Sequence, residues 1–301
     1  LAADLPFAKS LSVNGAFRYA NYSTSGDVKT WKYGAVYEPV DWLKFRGTRS
    51  RDIRAPNAAE LYSPQVSGFQ TINGILVPTV SGGNPDLQPE RSHGYEVGLR
   101  WRGEALQLTT SAYYNDYDDF IESRVNLGPD PQTGVIQFQS QNIDKARIYG
   151  AEVSANVQGG KLARGLEGWT GRLAASWSRG DDLARDVPLN SVDPASVIAE
   201  VGYTPASARW GAQLVLTAVE ARHDVDDTLM DLYETDGYVT LDLLAQVDLG
   251  RGLRLNAGLF NLTDVDYIEW ADVRGRPVDD PLIPYYTRPG RNVSVTLHWQ
   301  F

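Results

Sequence analysis

The sequence contains no cysteine, which excludes disulfide staples, thiolate metal sites and cysteine nucleophiles. It also lacks long apolar runs. Uninterrupted stretches reach only a few residues, far short of the roughly 20 that a membrane-crossing helix needs, and mean hydropathy is -0.34. A basic excess is missing as well: 28 Lys and Arg stand against 38 Asp and Glu, a formal net charge of -10 over 301 residues. That balance sets nucleic acid aside as a partner, because binding phosphates along a duplex needs a basic face. Histidine is confined to His93, His223 and His298, and no Ser-His-Asp spacing surrounds them, so the chain is not expected to be an enzyme. The first residue, Leu1, is neither Met nor the start of a charged and apolar leader, so the chain reads as a fragment.

What is present is strict alternation. From Asn292 to Phe301, Val293, Val295, Leu297, Trp299 and Phe301 oppose Ser294, Thr296, His298 and Gln300. A period of two means a strand with one apolar face. Val239, Leu241, Leu243, Ala245, Val247 and Leu249 repeat the pattern; across Gly250, Arg251 and Gly252 it resumes at Leu253, Leu255, Ala257 and Leu259. Two alternating runs joined by a tight glycine turn predict a hairpin. Similar runs at Tyr95 to Trp101, Leu106 to Tyr114, Ala151 to Val157 and Trp210 to Leu216 bring the expectation to about twelve strands.

The connections alternate too. Short turns fall near residues 39–41, 102–105, 204–207 and 250–252, with 158–167 as an enlarged one. Long polar segments fall near 51–91, 122–133, 180–191, 219–236 and 262–290. Short turns on one rim and long loops on the other are the plan of an outer-membrane barrel, whose strands cross with only about 9 to 11 residues. Arg100, Glu152, Asp242 and Arg254 on the polar face suit a wet lumen better than a dry sandwich interior. Eight Trp and 16 Tyr supply material for aromatic girdles at the lipid interfaces. A soluble β-sandwich remains open on the pattern alone. A propeller does not, since no period of about 40 to 50 residues appears.

Particular stretches carry a family resemblance. Phe45 to Tyr62 (FRGTRSRDIRAPNAAELY) and Asn84 to Glu90 (NPDLQPE) together resemble the strand, loop and strand of TonB-dependent outer-membrane receptors. Asn142 to Glu152 (NIDKARIYGAE), Val187 to Pro194 (VPLNSVDP) and Phe260 to Tyr267 (FNLTDVDY) are similar to later segments of that family, and Phe301 matches its terminal aromatic, a barrel-assembly signal. The resemblance implies an all-β transmembrane antiparallel barrel of the Gram-negative outer membrane. Residues 1–301 would supply about twelve C-terminal strands of a 22-stranded wall whose plug lies outside this chain. It further implies active uptake of a scarce nutrient, a ferric siderophore or an oligosaccharide. The expected partners are the N-terminal half with its plug, the TonB complex acting through that plug, and outer-membrane lipid. Neither cofactor nor metal is implied. The competing reading is a self-contained twelve-stranded channel or autotransporter-type translocator, which requires Leu11 to Tyr19 to pair with Asn292 to Phe301.

In the family reading, ligand contacts come from the long loops. Tyr62, Tyr117, Tyr233, Tyr267, Trp270, Tyr285 and Tyr286 lie in or beside them, and their flat rings suit stacking on sugars or aromatic chelators. Several are equally suited to an interfacial girdle. Arg54 joins the candidate set and is also suited to fixing loop structure by hydrogen bonds. Acidic clusters at Asp116 to Glu122, Asp224 to Asp231 and Asp264 to Asp272 read as a solvated surface, since the second lacks the Gly and terminal Glu of a calcium loop. Residues 57–84 contain no His, which disfavours haem.

Overall fold

The structure, a computed structural model, describes residues 2–5, 8–22, 26–72 and 75–301. In chain order its elements are β1 (Ala2–Leu5), β2 (Ala8–Tyr22), β3 (Gly26–Val40), β4 (Leu43–Arg54), α1 (Ala58–Tyr62), β5 (Val66–Ile72), β6 (Ile75–Gly82), β7 (Glu90–Arg102), β8 (Leu106–Pro129) and β9 (Ile136–Gln158). There follow α2 (Gly159–Leu162), β10 (Trp169–Asp182), β11 (Val187–Pro188), β12 (Ser196–Tyr203), β13 (Trp210–Val219), β14 (Tyr238–Gly250), β15 (Leu253–Phe260), α3 (Trp270–Val273) and β16 (Asn292–Trp299). Among the described residues sixteen strands form one sheet, and thirteen of them follow a continuous path from β1 to β16 with β5, β6 and β11 off it. Twelve strands on that path have eight residues or more, in agreement with the twelve expected from alternation.

Each strand on the path lies antiparallel beside its predecessor on that path, as hairpin connections require. The predicted turn after β14 is one of them: Gly250, Arg251 and Gly252 have φ of 81°, 54° and 76°. A Cβ on Gly252 would lie 2.0 Å from the Gln300 carbonyl oxygen, so only glycine fits there. Among the described residues β16 pairs with β15 alone and β1 with β2 alone. Leu11 to Tyr19 lie in β2 and do not meet Asn292 to Phe301, so the contact needed for a self-contained barrel is not made.

One predicted loop is a ribbon instead. β8 and β9 run for 24 and 23 residues, and the segment expected as a loop at 122–133 continues their pairing almost to its tip at Asp130 to Val135. Register shifts between Glu122 and Val125, and between Asn126 and Pro129, break the period of two there and hide the strand from pattern reading.

Register assigns the two faces. Tyr33, Arg49, Tyr95, Tyr114, Tyr149 and Arg179 form one lateral row across β3, β4 and β7 to β10. Toward the short turns, Trp42 meets Trp101 at 4.3 Å between ring centres, Tyr203 meets Trp169 at 5.0 Å and Trp210 at 5.5 Å, and Trp299 meets Phe301 at 5.8 Å. Between these two aromatic rows the same face carries residues such as Val97, Leu99, Val201, Leu214 and Val295, and among the described residues no charge. Leu106 and Tyr114, like Trp169 and Trp177, are eight positions apart, about 26 Å along a strand at ~3.3 Å per residue. Tilted by about 35–45°, that length rises roughly 20 Å, and the aromatic rows at its two edges extend it toward an apolar band about 25 Å tall. The opposite face is polar: Glu200 takes Arg172 at 3.3 Å and Gln213 at 2.6 Å, and Arg46 pairs with Glu96.

Candidate functional site

The long loops fold over the polar face at the end of the sheet away from the short turns. Their foundation is a network made from the motif residues. Arg54, the last residue of β4, bridges Glu60 of α1 at 2.9 Å and Glu90 of β7 at 3.1 Å. Asn57 caps α1 by accepting the Glu60 N–H at 2.9 Å, and Glu60 returns the contact by accepting the Asn57 N–H at 2.8 Å. Asn142 in β9 accepts the Gln88 N–H at 2.7 Å and donates to the carbonyls of Gln88 (3.0 Å) and Asp119 (2.7 Å). Asn84 donates to the Ser140 carbonyl at 3.0 Å, and Leu61, Leu87 and Ile121 bury their side chains together beneath. Three motifs far apart in sequence are therefore one clamp at the base of the 55–89 loop. Arg54 is part of it.

A second body forms around the β8–β9 ribbon. Leu189 and Val192 fold back over the sheet and bury against Ala146, with Tyr117, Phe120, Ile143 and Ile148 around them. Gly180 permits this approach, since a Cβ there would stand 2.5 Å from a Val192 methyl group. Asn190 exchanges two hydrogen bonds with the backbone of Asp226, at 2.8 and 3.1 Å, while Arg185 grips the Asp226 carboxylate at 2.7 and 3.3 Å. Trp270 donates its indole N–H to the Asn190 carbonyl at 3.0 Å, and Arg274 donates to the Ser191 carbonyl at 3.1 Å. The loops at 183–195, 222–236 and 268–284 thus hold one another.

Between them lies a cleft of about 480 Å³, lined by Glu122, Asp182, Arg185, Asp226, Arg274 and Arg276 among others. Its mixed charges and neighbouring apolar walls suit a polar ligand with hydrophobic parts. Burial pushes the Glu122 carboxyl up to about 7; the Ser191 hydroxyl, which donates to it at 2.7 Å, and Arg274 pull the other way. Asp182 is buried at 2% exposure and accepts the N–H groups of Ala184 and Arg185, so it shapes the turn leading into the cleft.

The predicted aromatic contacts divide sharply. Tyr62 and Tyr285 present open rings, at 66% and 84% exposure. Trp270 does not: it is 3% exposed and serves as a packing residue of the loop body. Tyr117 lies within β8, edge-on to Phe120 at 5.2 Å, and is half-buried. Tyr267 stacks on Tyr238 at 4.1 Å, Tyr286 lies under the Arg276 guanidinium at 4.5 Å and accepts a hydrogen bond from it, and half-buried Tyr233 ties its N–H to the Arg276 carbonyl at 2.8 Å. Phe301 is fully exposed at the short-turn rim.

The acidic clusters are not simply solvated. Asp116 pairs with Arg147 at 3.0 Å, Asp119 with Arg91 at 3.1 Å, and Arg288 holds both Glu269 and Asp272 at 2.8 Å. Each of these acids lies near its arginine only after the sheet forms, which composition along the chain does not disclose. Glu122, which the sequence places in the solvated cluster Asp116 to Glu122, is instead half-buried beside the cleft because Ser191 and Arg274 reach it from other loops. The one available signal was the interruption of alternation at Glu122 inside an otherwise long strand.

Comparison with known proteins places this arrangement. A family model described as TonB dependent receptor-like, beta-barrel matches residues 1–262. A hemoglobin and hemoglobin-haptoglobin-binding protein of Haemophilus ducreyi is 27% identical, with 94% of this chain and 32% of that protein aligned. The vitamin B12 transporter BtuB of Vibrio vulnificus is 27% identical over 98% of this chain and 41% of its own length. A ferric enterobactin receptor of Pseudomonas aeruginosa, solved with enterobactin, superimposes with a TM-score of 0.72 at 19% identity, covering 99% of this chain and 44% of that one. The chain spans between about a third and under a half of these proteins.

Proposed function

Because the chain belongs to the TonB-dependent receptor β-barrel family of the Gram-negative outer membrane, we propose that it forms the C-terminal wall and outer loops of a receptor for active nutrient uptake. The observation that carries this reading is the loop body folded over the polar face, with a charged cleft at the end remote from the short turns. In this reading residues 1–301 are one part of a larger barrel. Its open edges at β1 and β16 pair with an N-terminal half that brings the plug, because unpaired backbone groups in lipid cost several kcal/mol each. TonB acts through that plug. No covalent step is needed, and the family is one of transporters.

The ligand is a ferric siderophore or a comparable polar chelate, seated by the cleft arginines and carboxylates with Tyr62 and Tyr285 as stacking surfaces; an oligosaccharide fits the same rings. A second reading, uptake of haem from a host protein, is favoured by the relatives named for hemoglobin binding; since residues 57–84 hold no His, it requires a His supplied by the N-terminal half. It is also favoured by the β5–β6 hairpin, where Phe69, Ile75 and Leu76 are each more than 60% exposed and suited to a protein partner. The test is growth and labelled uptake by cells whose only receptor is the full-length protein, supplied with ferric siderophores, oligosaccharides or hemoglobin in turn. Uptake of one class that vanishes when TonB is deleted supports the proposal; equal uptake without TonB would overturn it.

A further inference from the structure

The short-turn rim carries one structure that chain reversal does not require. Its other connections are brief: β3 passes to β4 through residues 41–42, β7 to β8 through 103–105, β12 to β13 through 204–209 and β14 to β15 through 251–252. Between β9 and β10, residues 159–168 instead build a cap from α2 and a 3-10 turn at Arg164–Leu166.

The cap is folded against its surroundings. Ala163 donates its N–H to the Gly159 carbonyl at 3.0 Å, Leu166 donates to the Ala163 carbonyl at 3.0 Å, and Thr204 of the neighbouring turn donates to the Gly168 carbonyl at 2.9 Å. Two glycines make this approach possible. A Cβ on Gly159 would stand 2.6 Å from the Leu166 carbonyl oxygen, and one on Gly168, whose φ is +82°, would collide with the Thr204 carbonyl oxygen. Ordering such a segment costs conformational entropy, yet every residue from Gly160 to Thr170 is exposed, so no side-chain burial within the cap offsets it.

What the cap presents is amphiphilic. Leu162, Leu166 and Trp169 are open at 59%, 42% and 43% exposure. Lys161 and Arg164 lie among them in sequence, and neither has a carboxylate within ion-pairing distance among the described residues; Glu167, the acid of the cap, pairs with neither. Trp169 opens β10 on the lipid-facing side and continues the lower aromatic row through Tyr203 at 5.0 Å, which in turn meets Trp210 at 5.5 Å. In an outer-membrane barrel the short turns face the periplasm, and such a row marks the level where headgroups meet hydrocarbon. The cap is continuous with that level. Its uncommitted cations and exposed leucines therefore border the headgroups of the inner leaflet, where long basic side chains reach phosphate while their stems lie along apolar surface.

We propose that the cap between β9 and β10 is a docking surface for an anionic phospholipid of the periplasmic leaflet, with the headgroup phosphate on Lys161 and Arg164 and the acyl chains beside Leu162, Leu166 and Trp169. Each cation at an anionic bilayer surface favours binding by roughly fivefold. The proposal rests on the membrane placement of the barrel and not on uptake, so its failure and that of the transport reading are separable.

The test puts a diazirine-bearing leucine analogue in place of Leu162 in the full-length protein, held in nanodiscs of equal parts phosphatidylglycerol and phosphatidylcholine, and mass spectrometry identifies the species joined to it on illumination. Adducts of phosphatidylglycerol are expected to exceed those of phosphatidylcholine by about tenfold or more. Lys161→Gln together with Arg164→Gln should bring the two to parity. Equal labelling of the two lipids by the unaltered cap, labelling of neither, or a preference that survives the double variant overturns the proposal. An adduct formed in cells mainly with a periplasmic protein overturns it as well. If the double variant does not fold, the unaltered protein still decides: the preference must shrink at about 1 M salt, where exposed charges are screened, and an unchanged preference counts against the proposal.

Discussion

Ser191 donates its hydroxyl to Glu122 across 2.7 Å, joining the loop after β10 to the β8–β9 ribbon at the wall of the cleft. Burial pushes the Glu122 carboxyl up to about 7 from an ordinary 4.5, with Asp226 and Asp182 adding to the rise and Ser191 and Arg274 opposing it. The folded protein therefore binds this proton more tightly than the unfolded chain. Its contribution to stability is fully present below the unfolded value and is lost as pH rises through about 7. Amide exchange in residues 183–195, corrected for its intrinsic rate, is expected to quicken from about pH 5 to about pH 8. Glu122→Gln should flatten that dependence and protect the loop at the higher pH; an unchanged pH profile in this variant would contradict the assignment.

Arg54 supports the loop base through two carboxylates, of which Glu90 is only 7% exposed and also accepts the Ile121 N–H at 3.1 Å. Arg54→Ala leaves Glu90 without its cation. The arginine is itself 43% exposed, so water recovers part of the loss. A destabilisation of about 1–3 kcal/mol at the loop base is expected, visible as faster proteolysis within residues 55–89. Arg54→Lys should restore less than half, because one ammonium cannot replace the fork that reaches both Glu60 and Glu90.

The wall was legible in the sequence because lipid on one side and a wet lumen on the other force a period of two on every strand. Val239 to Leu249 and Asn292 to Trp299 lie as strands where their alternation put them. The outer end was less legible. There the β8–β9 ribbon leaves the membrane, register shifts replace alternation, and Tyr117 and Glu122 turn toward partners more than 60 residues away, as Leu189 and Ser191 show. Trp270 read as a ring awaiting a ligand because its neighbours Asn190 and Arg222 come from other loops. The role of Arg54 in holding the loop base was readable, since its partners lie in motifs the sequence displays.

Asn261 closes the loop between β15 and β16. Its φ is +50°, and its amide donates to the carbonyls of Val265 at 2.9 Å and Pro289 at 3.2 Å while its oxygen accepts the Val265 N–H at 3.1 Å. Left-handed backbone costs an ordinary residue about 1–2 kcal/mol. Asn261→Ala is expected to lose that amount and the side-chain hydrogen bonds together, and Asn261→Gly to lose the hydrogen bonds alone. Comparing the thermal unfolding midpoints of the two variants separates the contributions. If alanine were tolerated as well as glycine, the backbone argument would fail.

Trp270 and Tyr285 belong to the same loop and differ in what surrounds them: one is 3% exposed and hydrogen-bonded to Asn190, the other 84% exposed. Trp270→Ala removes a large packed ring and should destabilise the loop body by about 3–5 kcal/mol. Exposure of residues 183–195 and 222–236 to protease would report it, because both lean on that indole. Tyr285→Ala removes a ring that almost nothing packs against, so protease resistance should be unchanged while affinity for the transported ligand falls. The two variants therefore separate packing from recognition within one loop. Equal loss of affinity without loop opening in Trp270→Ala would return that tryptophan to the ligand-contacting set.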